Sequence, residues 1–166
     1  GYWSRGLGDV YKRQLKTISD VTQYTPKWTA AFSYEFLARE DGYPGLSKTY
    51  NLKFSQQPNT MELGLMYRAL AEKNVDLVAG FSTDGLISTL DLYMLKDDKN
   101  YFPTYEAVPV FNQKTLQQHP NLTSILQKLS GKVSSEDIQK LNYLVDHDRK
   151  SVNEVVKDFL SKKDLR

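Results

Sequence analysis

Leu63, Met66, Tyr67 and Leu70 recur at i, i+3, i+4 and i+7, a spacing that predicts one apolar face of a helix. The run from Val75 to Phe81 is nearly all apolar and reads as a buried strand of the kind found in parallel sheets. Ser82, Thr83 and Asp84 then offer N-cap side chains for a helix reaching about Leu90. Upstream, Val21–Trp28 is turn-prone and broken by Pro26, and Ala30–Ser33 has strand length. Tyr34–Ala38 starts a helix that Asp41-Gly42-Tyr43-Pro44-Gly45 stops, Leu46–Tyr50 adds one more turn, and Leu52–Ser55 reads as a short strand. Leu92–Leu95 is a further strand, closed by the polar turn Lys96-Asp97-Asp98-Lys99. Strands alternating with helices predict α/β architecture.

Beyond Pro103 the pattern changes. Ala107–Phe111 is strand-like, and Leu122, Ile125, Leu126 and Leu129 mark a helix face. Ser134 and Asp137 have capping-box spacing, flanked by Val133 and Ile138 as a hydrophobic staple would be. Val152, Val155, Val156, Phe159 and Leu160 mark a last helix. One strand and three helices supply no sheet to bury those faces, so this tail is expected to pack on chain outside these 166 residues.

Charge changes little. Lys plus Arg is 22 and Asp plus Glu is 20, a net of +2, too small an excess to suggest a nucleic-acid partner. No run approaches the ~18 apolar residues of a membrane span. The whole excess sits in residues 1–14, GYWSRGLGDVYKRQ, which show neither clear periodicity nor the layout of a secretory signal. One back-translation of Asp9–Gln14 resembles a transposon end used in sequencing libraries. Residues 1–14 are therefore read as a non-native, adaptor-derived segment ahead of a truncated chain, the alternative being an irregular N-terminal strand.

Catalytic chemistry is sparse. There is no cysteine, so neither a thiol nucleophile nor a Cys/His zinc site exists. His119 and His147 sit in polar surroundings and are expected to face solvent. No glycine-rich phosphate loop occurs, and Asp97-Asp98 reads as a solvated turn rather than a metal pair. The informative stretch is Gly80-Phe81-Ser82-Thr83-Asp84-Gly85, at the carboxyl end of a buried strand and opening a helix. Open α/β sheets bind ligands there, and the helix N-terminus favours a carboxylate. Plain helix capping by Ser82 or Thr83 accounts for the same spacing.

Four motifs stand in order: Glu35-Phe36 with Arg39-Glu40-Asp41-Gly42-Tyr43-Pro44-Gly45-Leu46; Phe81-Ser82-Thr83-Asp84-Gly85; Leu95-Lys96-Asp97-Asp98-Lys99 with Phe102-Pro103-Thr104-Tyr105 and Pro109-Val110; and Leu141-Asn142-Tyr143-Leu144-Val145-Asp146. Together they resemble the substrate-binding proteins of osmoprotectant ABC importers, which bind glycine betaine, carnitine, choline or proline betaine. The resemblance implies a periplasmic-binding-protein-like type II α/β fold, of which this chain would hold the second lobe plus the C-terminal part of the first. It divides the chain into a hinge approach at 15–25, the second lobe at 26–102, and the hinge return with first-lobe helices at 103–166. It implies a non-enzymatic receptor with no cofactor, an ABC permease as partner, and an extracytoplasmic place, periplasmic or lipid-anchored.

The resemblance also implies site residues. Family members hold the quaternary ammonium among aromatic rings, by cation–π attraction worth up to about 2 kcal/mol per desolvated ring. Phe81 and Tyr105 match two such positions, with phenylalanine at the first where tyrosine is usual. Arg39 matches an arginine that clamps a ligand carboxylate with its planar fork; a surface arginine beside Glu40 and Asp41 is the plain alternative. Ser82 and Thr83 would make polar contacts, and Glu35 is a weaker candidate. The Glu35–Gly42 segment also resembles binding domains for ergothioneine, another betaine, which leaves that ligand, or a sensing domain fused to a permease, as the alternative function.

Overall fold

The structure, a computed structural model, describes residues 2–4 and 14–165. Two compact units divide it, Gly1–Pro103 and Thr104–Arg166.

The first unit is built on a five-stranded sheet. Its strands are β1 (Tyr2–Ser4), β2 (Ala30–Phe32), β3 (Asn59–Thr60), β4 (Leu77–Ala79) and β5 (Tyr93–Leu95), in the order β3-β2-β4-β1-β5. β2 runs parallel to β3 and β4, with Ala31 opposite both Asn59 and Val78. β1 runs antiparallel to β4 and β5. Tyr2–Ser4 thus forms a strand within the segment read as patternless; residues 5–13 lie outside the described residues.

Alternation on the strands sorts the side chains between two layers. Ala30, Phe32, Leu77 and Leu95 face one core, and Ala31 and Val78 the other. Against the first pack α1 (Ile18–Val21), α2 (Tyr34–Ala38) and α3 (Tyr43–Tyr50). Phe32 is the hub of this core, with ring centroids of Phe36, Tyr43 and Phe54 at 5.3, 5.1 and 6.1 Å. Such pairs add about 0.5–1.5 kcal/mol beyond their buried area. Against the second core pack α4 (Leu63–Ala71), through buried Met66, Tyr67 and Leu70, and α5 (Leu86–Thr89), through buried Ile87.

Residues 15–25 are built into the first core, since Leu15, Ile18, Val21 and Thr25 are all buried. Thr17 caps α1 in a capping box with Asp20. Ile18 N–H donates to the Lys96 carbonyl at 2.9 Å, and Lys96 N–H to the Lys16 carbonyl at 3.0 Å, so 16–18 run beside the end of β5.

Three expectations need correction. Leu52–Ser55 forms no strand; buried Leu52 and half-buried Phe54 are loop side chains inserted into the first core. Asp41–Gly45 both ends α2 and begins α3, because Pro44 stands in the first turn, where its missing N–H costs nothing. Ala107–Phe111 is not a strand but exposed, irregular chain.

The second unit holds four helices among the described residues: α6 (Gln113–Gln118), α7 (Asn121–Gln127), α8 (Ser135–Asp146) and α9 (Val152–Lys162). The Ser134/Asp137 capping box forms as read. Among the described residues of this unit only Val155 is buried, and Ile125, Val152 and Val156 are exposed.

Candidate ligand-binding site

β4 ends at Ala79, and the chain leaves the carboxyl edge of the parallel strands through Gly80 and Phe81. Phe81 is 68% exposed. Its backbone is held closely. Phe81 N–H donates to Asp84 Oδ2 at 3.0 Å, and Asp84 N–H donates back to the Phe81 carbonyl at 3.1 Å. The same Oδ2 accepts the hydroxyl of buried Tyr67, on α4, at 2.5 Å. Asp84 therefore does not cap the next helix, as its position suggested. The N-cap of α5 is Gly85, without a side-chain bond. Ser82 is exposed and Thr83 half-buried at the tip of this loop.

Arg39 lies just past α2, in the same unit. Its Nε donates to Asp41 Oδ1 at 2.8 Å and its Nη2 to Asp41 Oδ2 at 2.5 Å. This bond holds the Asp41 carboxyl below the usual carboxylate range. The arginine fork is thus already matched to a carboxylate, and both partners stay 64% exposed. Glu35 is exposed in the first turn of α2.

Tyr105 belongs to the second unit and is 80% exposed. Phe81, Ser82, Thr83 and Arg39 share the first unit with Glu35.

One residue escaped the sequence reading. Tyr34, 73% exposed, opens α2 at the carboxyl end of β2. It stands three residues past Ala31, as Phe81 stands three past Val78, and Ala31 and Val78 are register partners on adjacent strands. The signal was available in the sequence as an aromatic two residues past the end of each of two strands. Only the pairing of those strands gives it meaning.

Several other motif residues serve the fold. Asp97 accepts the Tyr50 hydroxyl on one oxygen and Phe102 N–H at 2.7 Å on the other. Burial and the bond to Asp97 push the Tyr50 phenol up. Asp98 takes Ser19 N–H at 3.1 Å and its hydroxyl at 2.5 Å. These bonds tie the turn after β5 to α3 and α1. Gly42 and Gly45 are required by close approach: a Cβ on Gly45 would stand 2.5 Å from the Glu40 carbonyl and closer still to the Tyr101 hydroxyl. His147 stacks on Tyr143 at 4.5 Å and lies 3.1 Å from Asp148. Among the described residues no group of three or more His, Asp or Glu is placed to hold a metal ion. None of their helices is long and apolar enough to cross a membrane.

Residues 8–162 match the family described as the substrate binding domain of ABC-type glycine betaine transport systems. The chain belongs to this family. Members of this family are transport binding domains. The carnitine transport binding protein OpuCC of Listeria monocytogenes is 40% identical over 152 residues, which is 91% of this chain and 49% of that protein. The ergothioneine transport permease/ergothioneine binding protein EgtU of Helicobacter pylori is 34% identical over 154 residues, 93% of this chain and 28% of that one. The chain therefore spans about half the length of the carnitine-binding relative. The crystal structure of a glycine betaine/carnitine/choline ABC transporter aligns with a TM-score of 0.91 at 35% identity, over 99% of this chain and 60% of its own. The fold is accordingly that of the periplasmic-binding-protein-like type II structures.

Proposed function

We propose that this chain is part of a solute receptor for quaternary-ammonium osmoprotectants such as glycine betaine, carnitine or choline. The observation that carries this reading is Phe81: a bare aromatic face on a pinned loop at the carboxyl edge of the parallel strands. A trimethylammonium group offers no hydrogen to donate, so ring faces are the groups suited to it. Phe81 and Tyr105 each give the ammonium a ring, and Tyr34 adds a third. Arg39 takes the ligand carboxylate, and Ser82 and Thr83 supply polar contacts. Residues 26–102 form the second lobe, 15–25 and the chain after 102 the hinge crossings, and the helices up to 166 complete the first lobe. The exposed apolar side chains of α7 and α9 fit that role, since they await cover. The receptor works outside the cytoplasm, periplasmic or lipid-anchored, and delivers ligand to an ABC permease.

A second reading is favoured by the 34% identity to a protein that joins a permease to an ergothioneine-binding part. Ergothioneine also carries a trimethylammonium and a carboxylate, so the residues keep their roles. Calorimetry on a receptor-length protein carrying this chain decides between them. Binding of glycine betaine, carnitine or choline supports the first reading, and binding of ergothioneine alone the second. No binding of any of the four overturns both.

A further inference from the structure

We infer that Asp84 and Tyr67 are positioning residues that set the pose of the Phe81 ring; this rests on the reading of Phe81 as a ligand-facing ring. An exposed ring is not fixed by packing, so its place depends on what fixes its backbone. At Phe81 one carboxylate oxygen holds the backbone N–H. Asp84 Oδ2 accepts both the Phe81 N–H at 3.0 Å and the Tyr67 hydroxyl at 2.5 Å. The return bond from Asp84 N–H to the Phe81 carbonyl at 3.1 Å closes the loop into a turn.

Tyr67 carries this turn into the core. Tyr67 is 1% exposed and belongs to the same buried cluster as Met66, Leu70, Val75, Val78, Ile87 and Leu92. Val78 belongs to β4, the strand that delivers Phe81, and Ile87 to α5, the helix that follows it. The phenol thus ties the loop to the core that both of its flanking elements share. A ring held in place before ligand arrives loses less freedom on binding, which is how an indirect residue adds affinity.

The geometry also separates positioning from charge. Because both bonds converge on one oxygen, a carboxamide oxygen is able to accept both. Asp84→Asn should therefore keep the turn while removing the negative charge. Asp84→Ala removes both, and Tyr67→Phe removes the anchor but keeps the ring.

Two measurements test this in a receptor-length protein carrying this chain: calorimetric affinity for glycine betaine, and hydrogen exchange at the Phe81 amide. Asp84→Ala is expected to weaken binding at least about five-fold and to speed exchange at Phe81, as loss of such bonds implies. Tyr67→Phe should move both readouts the same way by less, and Asp84→Asn should restore both to near the parent values. Losses in Asp84→Asn equal to those in Asp84→Ala would overturn the proposal, because the carboxylate would then act by charge. Unchanged affinity in Asp84→Ala, while Phe81→Ala binds weakly, overturns positioning and leaves Phe81 as a ligand ring. Unchanged affinity in Phe81→Ala overturns the ligand-ring reading and the positioning role with it.

Discussion

Arg39 grips Asp41, two residues away, with both arms of its guanidinium fork, Nε to Oδ1 at 2.8 Å and Nη2 to Oδ2 at 2.5 Å. An exposed pair of this kind adds little to stability. Its consequence is orientation: the fork is held in a geometry suited to a carboxylate, and in the proposed role of Arg39 a ligand carboxylate competes with Asp41 for it. In a receptor-length protein, Arg39→Ala is expected to weaken glycine betaine and carnitine binding while leaving choline, which has no carboxylate, nearly unchanged. Asp41→Ala removes the competitor and should shift preference toward the carboxylate-bearing ligands. Equal losses for choline and glycine betaine in Arg39→Ala, measured by calorimetry, would remove Arg39 from this role.

The aromatic positions make a second test. Phe81→Ala, Tyr105→Ala and Tyr34→Ala should each weaken glycine betaine binding by about 1 kcal/mol or more, the scale of a desolvated cation–π contact. Phe81→Tyr keeps the ring face and should keep affinity. A calorimetric titration in which one alanine variant matches the parent excludes that ring from the ligand.

Much of the scaffold was legible because its side chains repeat. Met66, Tyr67 and Leu70 are buried on α4 as their spacing requires, and Ser134 with Asp137 forms the capping box that four residues announce. β3 was not legible. Asn59 and Thr60 are both exposed and join the sheet through backbone groups alone, so no apolar pattern marks them. Leu52–Ser55 misled for the converse reason, since Leu52 is buried without belonging to a strand. At the site, the place of Phe81 after β4 could be read, but the use of Asp84 could not. A helix cap and a turn-closing carboxylate are the same residue type in the same place, and the Tyr67 hydroxyl that distinguishes them comes from 17 residues away.

Two glycines of the first unit should respond oppositely to alanine. A Cβ at Gly45 would press on the Glu40 carbonyl and the Tyr101 hydroxyl, whereas nothing lies within 4 Å of one at Gly64 on α4. Gly45→Ala is expected to cost about 1–3 kcal/mol as an overpacking change. Gly64→Ala should be neutral or stabilise by up to about 1 kcal/mol through helix propensity. Urea unfolding of the two variants checks both signs; a Gly45→Ala midpoint at or above the parent's would contradict the close approach.

Asp137 gives the second unit an acid limit. Its carboxylate accepts Ser134 N–H at 3.0 Å and Lys163 Nζ at 3.0 Å, joining the start of α8 to the residue after α9. The Ser134 backbone bond, then the Lys163 and Ser134 side chains, lower its pKa from 3.8 to about 2. A depressed folded-state pKa means stability that is present above 3.8 and is lost as pH falls toward 2. Helical circular dichroism should therefore decline across that window, and Asp137→Asn should flatten this part of the profile. An unchanged acid profile in the variant would show that the carboxylate does not couple the two helices.

The position of β1 in the sheet bears on the order of folding. β5 reaches the other strands only through β1, whose partners Leu77–Ala79 and Tyr93–Leu95 flank it on both sides. β2, β3 and β4 are able to associate without it. β5 gains its strand partner only when Tyr2–Ser4 arrive from the far end of the unit, whereas the stretch beyond it is held by the bonds of Lys96 to residues 16–18 and by those of Asp97 and Asp98. Such long-range closure is slow, because the loop entropy is lost before any pairing is gained. Pairing of Tyr2–Ser4 with both β4 and β5 is thus expected to be a late step of folding, one that joins β5 to strands that pair without it.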